Sequence, residues 1–210
     1  MIWKFDEEVA RTFPAHARSH IPNYESVIGQ CVEICERGSK DAAIVDVGVA
    51  TGETINALRA AGFTNLYGID DSQAMLDACP QGIAKLIRSS VFPPDLRFDV
   101  VLMNWTLHFI REKEDYLRAT FEGLKPGGIL VLSEKVSNDP FPHRFYHEFK
   151  RRSGLTEAEI EAKANSLEGV MYINELPWYF DTLKVLGLVD VSVINASWCF
   201  ATLVGRKPES

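Results

Sequence analysis

The sequence predicts an α/β protein built on a mostly parallel sheet with helices on both faces. Three observations carry that expectation. Short apolar runs alternate with helical patterns from about residue 43 to about residue 133. The run Asp99–Met103, DVVLM, is apolar after its first residue, as in a strand covered on both faces. A two-glycine turn follows the first run directly, in Ile44–Glu53, IVDVGVATGE.

Taken in order, Phe5–Phe13 reads as a short helix, with Pro14 and Pro22 breaking the chain around it. A second helix spans Pro22–Glu36, with Val27, Ile28, Cys31, Val32 and Cys35 at helical spacing and Gly38 as its stop. Ala43–Val47 is the first strand. Glu53–Ala61 is a helix stopped by Gly62, and Asn65–Ile69 is strand two. Ser72–Ala78 is a helix that the Ser72 hydroxyl can cap. Ile83–Ile87 and Asp99–Met103 are strands three and four. Glu112–Leu124 is a helix, Lys125–Gly128 (KPGG) a tight turn, and Ile129–Ser133 strand five. Phe141–Met171 then breaks the rhythm with helical sequence. Glu175–Leu186 is a helix ended by Gly187, and Leu188–Ile194 with Ser197–Val204 forms a closing pair of strands.

With 210 residues the chain reads as one domain with a full core. An apolar fraction of 46% and a charged fraction of 24% are ordinary for a globular protein. No apolar run reaches the roughly 20 residues of a membrane span. The acidic start MIWKFDEEVA has no apolar core of a signal peptide. Cys31, Cys35, Cys79 and Cys199 form no C-x-x-C pattern and read as reduced thiols, which places the chain in the cytoplasm. A net charge of −7 disfavours direct nucleic-acid binding.

The chemistry gathers where strands one to four end. Gly48 and Gly52 permit a left-handed backbone and close approach of N–H groups to a ligand. The following helix points its positive end at that ligand. Asp70, closing Tyr67–Asp71 (YGIDD), can accept from both hydroxyls of a ribose. A dinucleotide fingerprint would place glycines at Ala50 and Glu53, and Glu53 would repel a pyrophosphate. A cationic or zwitterionic nucleoside such as S-adenosylmethionine (SAM) meets no such repulsion. The same spacing also suits an ordinary turn between strand and helix.

The motifs DVGVATG, GIDDSQAM, MNWTLHF and LKPGGILVLSEK resemble those of class I SAM-dependent methyltransferases. WKFDEEVARTFPAHARSHIPNYESVI, LSEKVS and HEFKRRSGLTEAEIEAKANSLEGVM are similar to the carboxy-S-adenosylmethionine synthase family. The resemblance implies a Rossmann-like class I methyltransferase fold: a mostly parallel seven-stranded sheet, an N-terminal helical flap over residues 1–40 and a helical insert over residues 139–171 after strand five. It implies SAM as cofactor, S-adenosylhomocysteine as product and a homodimer. The family combines SAM with prephenate, and its carboxylated cofactor serves the modification of transfer-RNA wobble uridine.

Carried over position by position, Gly48, Val49 and Ala50 would line the methionine and ribose, and Gly52 closes the same turn. Asp70 would hold the ribose hydroxyls, with Asp71 beside the adenine. Asn104 would face the sulfonium, and Tyr24 would reach in from the flap. Two departures stand out. The acid and aliphatic residue that contact adenine in the family are Ser90 and Val91 here. The arginine that meets the extra carboxylate is Ala164. Lys163 is adjacent but turned by about 100° on a helix. This loss argues for ordinary SAM.

His108 follows the strand-four motif and is the candidate catalytic base, with packing as its alternative. His143 and His147 have helical spacing, but no third ligand accompanies them, so no metal is assigned. Lys150, Arg151 and Arg152 suit a solvated face; lining the pocket, they would predict an anionic acceptor. The reading is a methyltransferase acting on a small molecule, with no membrane partner. Its alternatives are a carboxy-SAM synthase and a SAM-binding protein without catalysis.

Overall fold

The computed structural model describes residues 3–209. Seven strands form one sheet: β1 (Ile44–Val47), β2 (Leu66–Asp70), β3 (Lys85–Arg88), β4 (Phe98–Asn104), β5 (Leu124–Lys135), β6 (Val189–Ser197) and β7 (Phe200–Arg206). Their order is β3-β2-β1-β4-β5-β7-β6. The first five run parallel, and β7 is antiparallel to both β5 and β6. The direction of winding reverses between β1 and β4, where open α/β sheets place their ligands.

Eight α-helices accompany the sheet among the described residues. They are α1 (Glu7–His20), α2 (Tyr24–Cys35), α3 (Glu53–Ala60), α4 (Gln73–Ala78), α5 (Lys113–Gly123), α6 (Pro140–Arg152), α7 (Glu157–Leu167) and α8 (Leu176–Val185). The pleat divides the core cleanly. Val101 and Met103 of β4 pack on one face with Leu117 of α5 and Leu183 of α8. Val100 and Leu102 pack on the other with Cys31 of α2 and Ile55 and Leu58 of α3. Each such buried side chain contributes about 1.5–3 kcal/mol.

Three expectations change, and one element is added. The first helix does not stop at Pro14 but continues to His20. Proline there removes one N–H bond, while Asp6 caps the start and Ala10 and Ala17 bury the inner face. The helical sequence 141–171 divides into α6 and α7 at Gly154, which has φ +92°, and a Thr156–Glu159 capping box starts α7. A short 3₁₀ turn, Leu107–Phe109, follows β4. The KPGG segment folds back inside β5 as an irregularity between Leu124, paired with Phe98, and Ile129, paired with Val100.

Candidate active site

A cavity of about 880 Å³ lies at the carboxyl ends of β1, β2 and β4, with residues after β3 on its wall. Its first half is built largely from backbone. Gly48, at φ +70°, turns the chain so that its N–H and that of Val49 both donate to the Ile69 carbonyl, at 2.8 and 3.0 Å. A Cβ on Gly48 would lie 2.0 Å from the Thr106 hydroxyl, so the turn admits only glycine. Ala50 and Trp105 also hold left-handed backbones, at φ +47° and +56°. Such strain persists where the surroundings over-determine it, and it clusters at ligand sites.

Asp70 ends β2. Its carboxylate accepts from the Ala50 N–H at 3.0 Å and the Ser72 N–H at 2.9 Å, which fixes its orientation. Burial nevertheless raises its pKa. Asp46, fully buried behind it, is raised well above the carboxylate range by desolvation. The Thr51 hydroxyl is buried on the cavity wall with no partner among the described residues. A hydroxyl-rich nucleoside fits this wall, because Asp70 retains free lone pairs and Thr51 lacks a bond. Tyr24 stacks on Trp105 at 4.9 Å between ring centres and closes the wall from the flap.

The second half is built from side chains. Lys135 ends β5, Lys150 and His147 come from α6, Lys163 from α7, and His16 and His20 from α1. Lys135 and Lys150 are buried. Lys135 donates to Asn138 at 2.8 Å, and Lys150 lies 4.4 Å from the centre of the Tyr146 ring. None of the three lysines is in an ion pair among the described residues. Desolvation lowers all three, Lys150 to about 8 and Lys163 to about 6, with Lys135 adding repulsion on Lys150 and Lys150 on Lys163.

His108 sits between the halves. Its Nδ1–H donates to Glu134 Oε2 at 2.8 Å, and the other Glu134 oxygen accepts the Leu107 N–H at 2.8 Å. Both side chains are buried, and His108 lines the cavity. The bond to Glu134 leaves Nε2 as the free acceptor of the ring.

The structure brings together Tyr24, Gly48, Val49, Ala50, Asp70, Asp71, Ser90, Asn104 and His108 on this cavity. Two expected residues are elsewhere. Gly52 is required by packing, since a Cβ there would lie 2.5 Å from the Cys79 sulfur. Val91 is 62% exposed, turned outward by an exchange of hydrogen bonds between Ser89 and Val91. The Asn104 amide is engaged by Ser133 at 2.7 Å and by Cys31. The basic run divides: Lys150 enters the cavity, while Arg151 pairs with Glu148 and Glu157 outside. Lys163 and Ala164 both reach the wall, so the turn between them does not remove Lys163. Reading the sequence missed Thr51, Lys135, Glu134, His16 and His20.

The model of the methyltransferase domain family matches residues 45–132. A SAM-dependent methyltransferase of Thermotoga maritima superposes with a TM-score of 0.69 at 17% identity, covering 99% of this chain and all of that one. A phosphoethanolamine N-methyltransferase of Haemonchus contortus, solved with S-adenosylhomocysteine, gives a TM-score of 0.64 at 14% identity, covering 99% of this chain and 61% of that one. The matched domain and the curated relatives named next define an enzyme of the SAM-dependent methyltransferase class, with SAM as its cofactor. The carboxy-S-adenosyl-L-methionine synthase of Erwinia tasmaniensis is 32% identical, over 98% of this chain and 92% of that protein. The synthase of Helicobacter hepaticus is 31% identical, over 98% and 95%. The chain belongs to the carboxy-S-adenosyl-L-methionine synthase family.

Proposed function

We propose that this enzyme methylates a small anionic molecule held in the lysine-lined half of the cavity. The observation that carries the reading is the set of three lysines, Lys135, Lys150 and Lys163, on that wall without an acidic partner among the described residues. Burial disfavours the charged form of each lysine, and an anionic ligand restores it. Bound SAM supplies an electrophilic methyl group. In this reading Gly48, Val49 and Ala50 lie along its methionine and ribose, Asp70 accepts from the ribose hydroxyls, and Asp71 and Ser90 flank the adenine. Tyr24 and Trp105 exclude water. His108, oriented by Glu134, takes the proton that the acceptor loses as it gains the methyl group. Flap, sheet and insert act as one unit, because each contributes wall residues. Assembly as a homodimer belongs to the same proposal, and light scattering reads it.

A second reading is the activity named for the relatives. Lys163 beside Ala164, with Lys150 also on the wall, supplies cationic charge where the family arginine is missing. One incubation separates the two. The protein is given SAM with prephenate and a panel of small carboxylic acids, and the products are weighed by mass spectrometry. S-adenosylhomocysteine with a methylated acid supports the first reading. A SAM heavier by one carbon dioxide supports the second. SAM left unchanged by every acid overturns both.

A further inference from the structure

The lysines are not the only groups on the chamber wall. His20 closes α1 and is only 8% exposed. Its Nδ1–H donates to the His16 carbonyl at 2.9 Å. That bond fixes the tautomer and leaves a lone pair on Nε2. Nε2 is buried with no hydrogen-bond partner among the described residues, and the residue lines the cavity. A buried nitrogen without a partner is costly unless a ligand supplies one.

The neighbourhood specifies that ligand. From its own helix, the His16 ring stacks on His20 at 3.9 Å between centres. From α6, the Tyr146 hydroxyl donates to the His20 carbonyl at 2.9 Å, and Lys150 faces the ring as a repelling charge. From α7, Lys163 repels a charged ring and Glu159 favours one. Burial holds His20 near 4, so the empty chamber contains a neutral ring at neutral pH. A neutral Nε2 presents a lone pair to an arriving anionic oxygen, and the two repel. Protonated, the same atom becomes a donor, and the anion offsets the repulsion from Lys150 and Lys163.

We infer that His20 is a substrate-binding residue of the chamber: an anionic substrate enters together with one proton, which His20 Nε2 takes from solvent and then shares with the substrate as a charge-assisted hydrogen bond. The inference rests on the anionic-acceptor reading above and adds to it a proton and a residue. Binding then tightens as the pH falls, about tenfold per unit while the ring is neutral in the free protein and charged in the complex.

Titration calorimetry tests this with prephenate and inorganic phosphate as probes, on protein saturated with S-adenosylhomocysteine. Two buffers of different ionisation enthalpy at about pH 7 report the protons taken up per ligand. Lys163, near 6 in the empty chamber, also takes up a proton beside an anion, so the quantity read is the difference: the wild type takes up about one proton more than His20→Gln. The variant binds the probe about tenfold more weakly and keeps its affinity for S-adenosylhomocysteine. Probe binding without proton uptake by the wild type overturns the inference and leaves the anionic acceptor standing. Equal uptake by wild type and variant overturns it as well. Failure of both probes to bind the wild type refutes the anionic reading and His20 with it. Lys163→Met keeps about one proton of uptake if His20 carries it and loses the uptake if Lys163 does, so a His20 substitution that misfolds leaves the test intact.

Discussion

The two halves of the cavity are made by different means. The cofactor half is a backbone construction: Gly48 at φ +70°, Ala50 at φ +47°, and an Asp70 carboxylate held by two N–H groups. The acceptor chamber is a side-chain construction, with His20, Lys135, Lys150 and Lys163 arriving from four separate elements. The first half is braced before any ligand arrives by the N–H groups of Ala50 and Ser72 on Asp70, with the Thr51 hydroxyl left over for the ligand. The second holds three lysines without acidic partners and two buried nitrogens, Trp3 Nε1 and His20 Nε2, that nothing in the described protein satisfies. A preformed site of the first kind binds an invariant cofactor, and an unsatisfied one of the second kind selects the variable partner.

Substitutions in the two halves therefore separate. The largest effect falls on Asp70→Ala. It removes two hydrogen bonds to the ribose and the brace on Ala50, for about 3 kcal/mol or more, so S-adenosylhomocysteine affinity falls at least about a hundredfold. Calorimetry with S-adenosylhomocysteine alone checks it, and unchanged affinity removes Asp70 from the cofactor half. Next comes His108→Asn, at the boundary. Loss of a general base lowers kcat by about a hundredfold or more and leaves KM near its wild-type value. Single-turnover kinetics with the acceptor found in the incubation reads it; unchanged kcat returns His108 to a packing role.

A smaller effect concerns pH and the chamber alone. The folded value of His20 lies near 4, below the ordinary 6.5. Between those values the unfolded chain binds more protons than the folded one, so this group makes stability rise with pH through the window and fall on acidification. Asp46 and Asp70 are raised and act in the opposite sense. The informative quantity is therefore the difference between wild type and His20→Gln. From about pH 7 to pH 5 the wild type loses about 2 kcal/mol more than the variant, read as a larger drop in Tm. Parallel curves would show that His20 is not held neutral by burial.

The same division governs what the sequence reveals. The cofactor half was legible because its parts are contiguous. IVDVGVATGE and YGIDD each carry strand, turn and functional group within a few residues, and backbone chemistry depends on little else. Gly52 shows the limit of that reasoning: it has the right spacing and a positive φ, yet Cys79 packing explains it. The chamber was not legible. Lys150 and Arg151 are adjacent in one basic run, and only the docking of α6 on the sheet decides that one enters the cavity and the other meets Glu148 and Glu157. His20 was hidden by Pro14, which argued for a helix end at Phe13, seven residues before the structure places it.

The independence of the two halves is the centre of this account, and one variant tests it. Lys163→Met deletes a chamber amine that an arriving anion recharges, and it retains the stem. Titrated first with S-adenosylhomocysteine and then with prephenate, the variant should bind the nucleoside as the wild type does and the anion about tenfold or more weakly. Loss of both affinities together, or prephenate binding that ignores the substitution, would contradict it.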